Sequence, residues 1–131
     1  MSRILALDFG EARCGCAVSD PTGTLATPLE AVEQPATRRG LATIADLVHD
    51  RDVDRVVIGL PLTLAGEEGA QARATREFAA RLAELVGVPI ELHDERLTTR
   101  QAERMGGGAD ADSRAAAHLL VSYLATTGRA S

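Results

Sequence analysis

Asp8 closes a short apolar run over residues 3–9, and the acidic pair Asp94-Glu95 closes another over residues 88–93. A further carboxylate, Asp112, stands where a helical pattern begins. Carboxylates brought together from such distant positions repel one another and raise one another's pKa unless a cation lies between them. Oxygen donors without accompanying cysteines favour Mg²⁺ or Mn²⁺ over zinc. Two such ions, about 3.5–4 Å apart, activate water and stabilise both oxygens of an in-line phosphodiester displacement.

Each of these residues also has a plainer use. Asp8 can hydrogen-bond the turn at Gly10, although an acid ending an apolar strand packs poorly. Glu95 can pair with Arg96 or Arg100. Strand alternation sends Asp94 to the face opposite Glu95 unless the strand has already ended. Asp112 suits a helix N-cap. Arg13 and Arg96 serve either as phosphate anchors or as solvated or ion-paired residues. Thr98 and Thr99 read as caps. His93 reads as a core imidazole, and Gly59 and Pro61 set the backbone at a strand end, with the loop beyond them as one wall of a substrate groove.

The elements that must carry these side chains follow from apolar periodicity. Strands are expected over residues 3–9, 14–19 and 25–32, with turns over 11–13 and 20–23. From Thr37, a plausible N-cap, Leu41, Ile44, Leu47 and Val48 line one face of a helix. A Val/Ile strand over 53–60 follows. A second helix runs through Ala74, Phe78, Leu82, Leu85 and Val86 to a stop at Gly87, supported by Glu77 and Arg81. The fifth strand spans 88–93. Thr98 and Gln101 have capping-box spacing for a short helix ending at Gly106-Gly107-Gly108. Asp112 opens the last helix, along Ala116, Leu119, Leu120, Tyr123 and Leu124. Strands alternating with helices imply parallel crossovers, hence an α/β fold with a mixed five-stranded sheet and helices on both faces. In such sheets ligands gather at the carboxyl ends of the strands, where Asp8 and Asp94-Glu95 stand.

With 131 residues the chain reads as one domain, residues 1–131, large enough to bury a core without disulfides. Cys14 and Cys16 read as small buried hydrophobes. No apolar stretch suits a membrane span or a secretory leader, so a cytoplasmic protein that meets no membrane is expected. All 14 basic residues are arginine, against 19 acidic ones, for a net charge of −5. That balance excludes a nucleic-acid coat driven by bulk charge; any polyanion is met locally. Two bound dications would bring the sum to about −1 and invert the sign around the acids.

Asp8-Phe9-Gly10, the RCGCAVSD segment from Arg13 to Asp20, Gly59-Leu60-Pro61-Leu62, Asp94-Glu95-Arg96-Leu97-Thr98-Thr99, and Asp112 followed by Ala115-Ala116 resemble the YqgF/RuvX nuclease family over almost the whole chain, in family order. The resemblance implies an RNase H-like fold and a metal-dependent nuclease. It implies Asp8, Glu95 and Asp112 as catalytic metal ligands, with Asp94 as a candidate fourth carboxylate. The substrate it implies is the 5′ end of the 16S ribosomal RNA precursor, or a four-way DNA junction. Two departures stand out. The family's lysine-rich segment before the last aspartate is replaced by Gly106-Gly107-Gly108-Ala109-Asp110-Ala111, and Thr63 and Ala65 stand where Asn and Asp are frequent.

Two other classes compete. Sugar kinases and actin-like ATPases also open on Asp-x-Gly, but they enclose ATP between two domains. A non-catalytic assembly factor binding ribosomal RNA or a protein fits the acidic balance and the missing lysines. Cutting a junction symmetrically would call for a homodimer, which no exposed apolar stripe announces.

Overall fold

The computed structural model describes residues 3–22, 25–63, 65–94 and 111–127. Five strands and three helices follow in the order β1 (Ile4–Asp8), β2 (Arg13–Ser19), β3 (Ala26–Glu33), α1 (Arg38–Asp50), β4 (Arg55–Leu60), α2 (Ala70–Ala83), β5 (Ile90–Asp94) and α3 (Ala111–Thr127). The sheet order is β3-β2-β1-β4-β5. The first three strands are antiparallel hairpins, whereas β4 and β5 run parallel to β1. This is the mixed five-stranded α/β sheet expected, and the parallel half turns the carboxyl ends of β1, β4 and β5 to one edge.

Period-two alternation splits the sheet into two faces. Leu5, Leu7, Cys14, Cys16, Val18, Val56 and Ile58 pack under α1 and α2 with Leu41, Ile44, Val48, Phe78 and Leu82. Ile4, Ala6, Ala17 and Val57 pack under α3 with Ala116, Ala117, Leu120 and Tyr123. Both cysteines are buried free thiols in the first of these cores, as expected. Gly15 and the buried Ser19 share the α3 face with Ala6 and Ala17, so α3 meets a floor of small residues.

Boundaries differ from expectation by two residues or more at three places. The strand expected from residue 53 starts at Arg55, because α1 closes with Asp52 left-handed (φ 54°), Asp52 N–H on the His49 carbonyl and Val53 N–H on that of Val48. Helix α2 ends at Ala83, and Leu85, expected on its buried stripe, is exposed. Strand β5 starts at Ile90 and continues through Asp94, which pairs with Leu60 as its last rung. Glu77 and Arg81 are not among the ion pairs of the described residues; α2 is tied instead by Arg76 to Glu68. The short helix expected near residues 98–105 lies outside the described residues.

Candidate metal and phosphodiester site

Asp8 is the last residue of β1 and is half-buried on the α3 face. Its cross-strand partner is Gly15. The Asp112 carbonyl oxygen lies 1.8 Å from where a Cβ on residue 15 would stand, and the Ser113 nitrogen lies 2.9 Å from it. Facing residues of an antiparallel pair carry Cβ atoms about 4.5–5.5 Å apart, so the Asp112 carbonyl lies within about 7 Å of the Asp8 Cβ. The missing side chain is what admits the first turn of α3. Asp8 and Asp112, 104 positions apart in sequence, thus meet across one glycine.

The first turn of α3 is fixed by a second contact. The β2–β3 register shifts between Cys14 and Cys16, and there the Cys16 N–H donates to the Ser113 hydroxyl at 3.2 Å. Ser113 is fully buried. Sequence reasoning missed Gly15 and Ser113 as site-building residues. The available signal was the run of small residues Gly15, Ala17 and Ser19 at period two, which marks a strand that another backbone approaches closely.

Asp112 lies in the first turn of α3, where its charge suits the helix dipole. Its carboxylate accepts from Arg13 Nε at 3.1 Å, with the two side chains 41% and 56% exposed. An ion pair that open to water contributes about 0.2–1 kcal/mol, so it holds the Asp112 carboxylate only weakly. Arg13 opens β2 instead of lying in the preceding turn. Both acids also act on one neighbouring thiol. The Cys14 thiol is pushed well above its ordinary value by its hydrogen bond with Cys16, then by burial, then by the negative field of Cys16, Asp8 and Asp112.

The other candidates fall around this pair. Asp8 follows Leu7, which faces Ile58, so Asp8 stands level with Gly59, and Gly59 faces His93 on β5. Gly59 is buried and brings no side chain beside Asp8; Pro61 is half-buried just beyond β4. Asp94 ends β5 still paired, so alternation assigns it to the α1/α2 face, opposite Asp8. His93 is buried under α3 with Nε2 3.2 Å from the Ser122 hydroxyl and its ring edge-on to Tyr123. Burial pushes its imidazole below the ordinary value, against the opposing pull of Asp94 and Glu91. Glu95, Arg96, Thr98 and Thr99 lie outside the described residues. Among the described residues no group of three His, Cys, Asp or Glu side chains gathers for a metal. The donor chemistry of the described pair suits a hard dication: two carboxylates, with the Asp112 backbone seated against Gly15, the cross-strand partner of Asp8.

Residues 2–126 match RuvX, a family described as Holliday junction resolvase. The chain belongs to the RuvX family. Its enzyme class is that of a hydrolase acting on phosphodiester bonds. Curated relatives of this RuvX chain are named as candidate pre-16S rRNA nucleases. One from Chloroflexus aurantiacus is 47% identical over 102 residues, covering 78% of this chain and 67% of the relative. Another, from Syntrophomonas wolfei, is 37% identical over 131 residues, covering 93% of each. Among solved structures, RuvC of Thermus thermophilus superposes with a TM-score of 0.70 at 15% identity, covering 97% of both chains. That likeness establishes the RNase H-like fold for this RuvX chain.

Proposed function

We propose that this chain is a metal-dependent endonuclease that cleaves structured nucleic acid, with the 5′ end of the 16S ribosomal RNA precursor as substrate. The observation that carries this reading is the close approach of the Asp112 backbone to Gly15, the cross-strand partner of Asp8, at the carboxyl edge of the sheet. Asp8, Asp112 and Glu95 are the proposed ligands of Mg²⁺ or Mn²⁺; Asp94, the fourth carboxylate expected from the sequence, ends β5 on the opposite face of the sheet and is left out. The metal, when bound, supplies activation of water and charge neutralisation at the phosphoryl oxygens. Asp8, held at the end of a central strand, fixes the position of the centre. Asp112, carried by α3 and anchored through Ser113, closes it from above. Arg13 and Arg96 steady flanking phosphates. Gly59, buried beside Asp8, leaves room for the cleaved bond, and Pro61 starts the loop that walls the groove.

The substrate is read by its backbone shape. The chain has only Phe9, Phe78 and Tyr123 as aromatics, and all three are buried, the two phenylalanines stacked with centroids 4.5 Å apart. No aromatic is left to stack a base. Four-way DNA is the second reading, favoured by the family's description as resolvases, and it would bring two copies together on one junction. No helix among the described residues is long and apolar enough to cross a membrane, which agrees with a cytoplasmic role.

The deciding experiment incubates the pure protein with precursor RNA and with a four-way junction in Mg²⁺ or Mn²⁺, beside Asp8→Asn, with calorimetric titration of each ion. Ion-dependent cleavage that Asp8→Asn lowers by on the order of a hundredfold or more, together with loss of ion binding, is the expected result. Binding that tolerates chelator, without cleavage, would identify a non-catalytic assembly factor.

A further inference from the structure

Beside the Arg13–Asp112 pair, a groove of about 740 Å³ runs between the edge strand β3 and α1, lined by Arg13, Glu30, Glu33, Arg39, Arg51 and Asp112 among others. This volume is that of a ligand site. Its lining is electrically neutral, three arginines against three acids. Arg13 is already engaged by Asp112. Arg39 and Arg51 are exposed, and their guanidinium groups join no ion pair among the described residues. Twelve helical steps separate them, on the order of 18 Å along α1, which is a track and not a point contact.

We propose that this groove is a binding site for a phosphodiester strand and that a dication opens it electrostatically. The proposal rests on the reading of Asp112 as a metal ligand. The Asp112 carboxylate holds Arg13, and with that pair closed the neutral groove has little pull on a polyanion. A dication at Asp8 and Asp112 takes that carboxylate, releases the guanidinium, and changes the charge of the groove by +2. Arg13 then joins Arg39 and Arg51 in facing phosphates. Guanidinium groups suit this task, because a planar fork bonds a phosphate through two N–H groups. Metal therefore binds before the strand, and an acidic protein gains a basic track leading away from the metal site over the β3 edge.

The test uses fluorescence anisotropy with short labelled single-stranded RNA, and DNA of the same sequence, in chelator and in Ca²⁺, an oxygen-seeking dication. Binding of either strand carries the result, since the groove reads the shared backbone. Wild-type affinity is expected to rise about tenfold from chelator to Ca²⁺. Arg39→Ala/Arg51→Ala should lose most of that affinity while its calorimetric Ca²⁺ affinity stays within about twofold. In chelator, Asp112→Asn should bind the strand several-fold tighter than wild type, and Arg13→Ala/Asp112→Asn should lose that gain. Undiminished binding by Arg39→Ala/Arg51→Ala in Ca²⁺, or a gain that survives loss of Arg13, would overturn the groove. If ion binding disappears in Asp8→Asn but the groove variants behave as wild type, only the groove fails. A wild-type protein that binds no ion overturns the metal reading itself and this proposal with it.

Discussion

Gly15 is the residue on which the geometry of the candidate site turns. A methyl group there would overlap the Asp112 carbonyl, so helix α3 must lift for any other residue. Gly15→Ala should destabilise the fold by ~1–3 kcal/mol in urea unfolding and weaken ion binding in the same variant, because lifting α3 separates Asp112 from Asp8. His93 makes a pH prediction. Burial lowers its pKa in the folded protein, so just below pH 6.5 the unfolded chain binds a proton that the folded chain refuses. Stability therefore holds above about pH 6.5 and declines as pH falls through the lower folded value. Thermal melts from pH 8 to 5 should show that decline, and His93→Gln should flatten it. An unchanged slope in the variant would remove His93 as the cause.

The elements owe their placement to short-range chemistry that can be tested one at a time. Thr37 caps α1, its hydroxyl accepting the Gly40 N–H at 3.1 Å while donating to the Gln34 carbonyl at 2.7 Å. Thr37→Ala should cost about 1 kcal/mol in chemical denaturation and leave ion binding unchanged, because α1 lies on the face opposite Asp8. The same helix shows what sequence patterns omit. Its C-terminus uses Asp52 in the left-handed conformation where glycine is the usual signal, so the following strand appeared two residues too early. Leu85 fitted the helical stripe of α2, yet α2 ends at Ala83, and Leu85 and Val86 follow in a turn held by the Leu82 carbonyl. Alternation within β5 was readable, but where the strand ends was not, and that end decides which face receives Asp94.

Across the whole molecule, the net charge of −5 opposes nucleic acid, while the proposed site draws it in locally. If three guanidinium groups neutralise phosphates, strand affinity in Ca²⁺ should fall with salt at a log–log slope of roughly −2, and each arginine removed should reduce the slope by about 0.7. A slope near zero would mean that no phosphates are neutralised. A much steeper one would mean a wider basic surface than the groove provides. Anisotropy titrations across a salt series give the value directly.

The chain's own pattern of residues was enough for the class of fold, the strand–helix order and the buried cysteines, because these rest on local periodicity and on the burial of apolar surface. It also carried the family's motifs from Asp8 to Asp112. Folding alone decided that Asp112 reaches Asp8 over Gly15, that Ser113 pins the helix at the β2 irregularity, that Arg13 engages Asp112, and that Arg39 and Arg51 share a groove with that pair. These are contacts between residues tens of positions apart. Their energies depend on sub-ångström packing of α3 against the sheet, and no periodicity within a single segment encodes that.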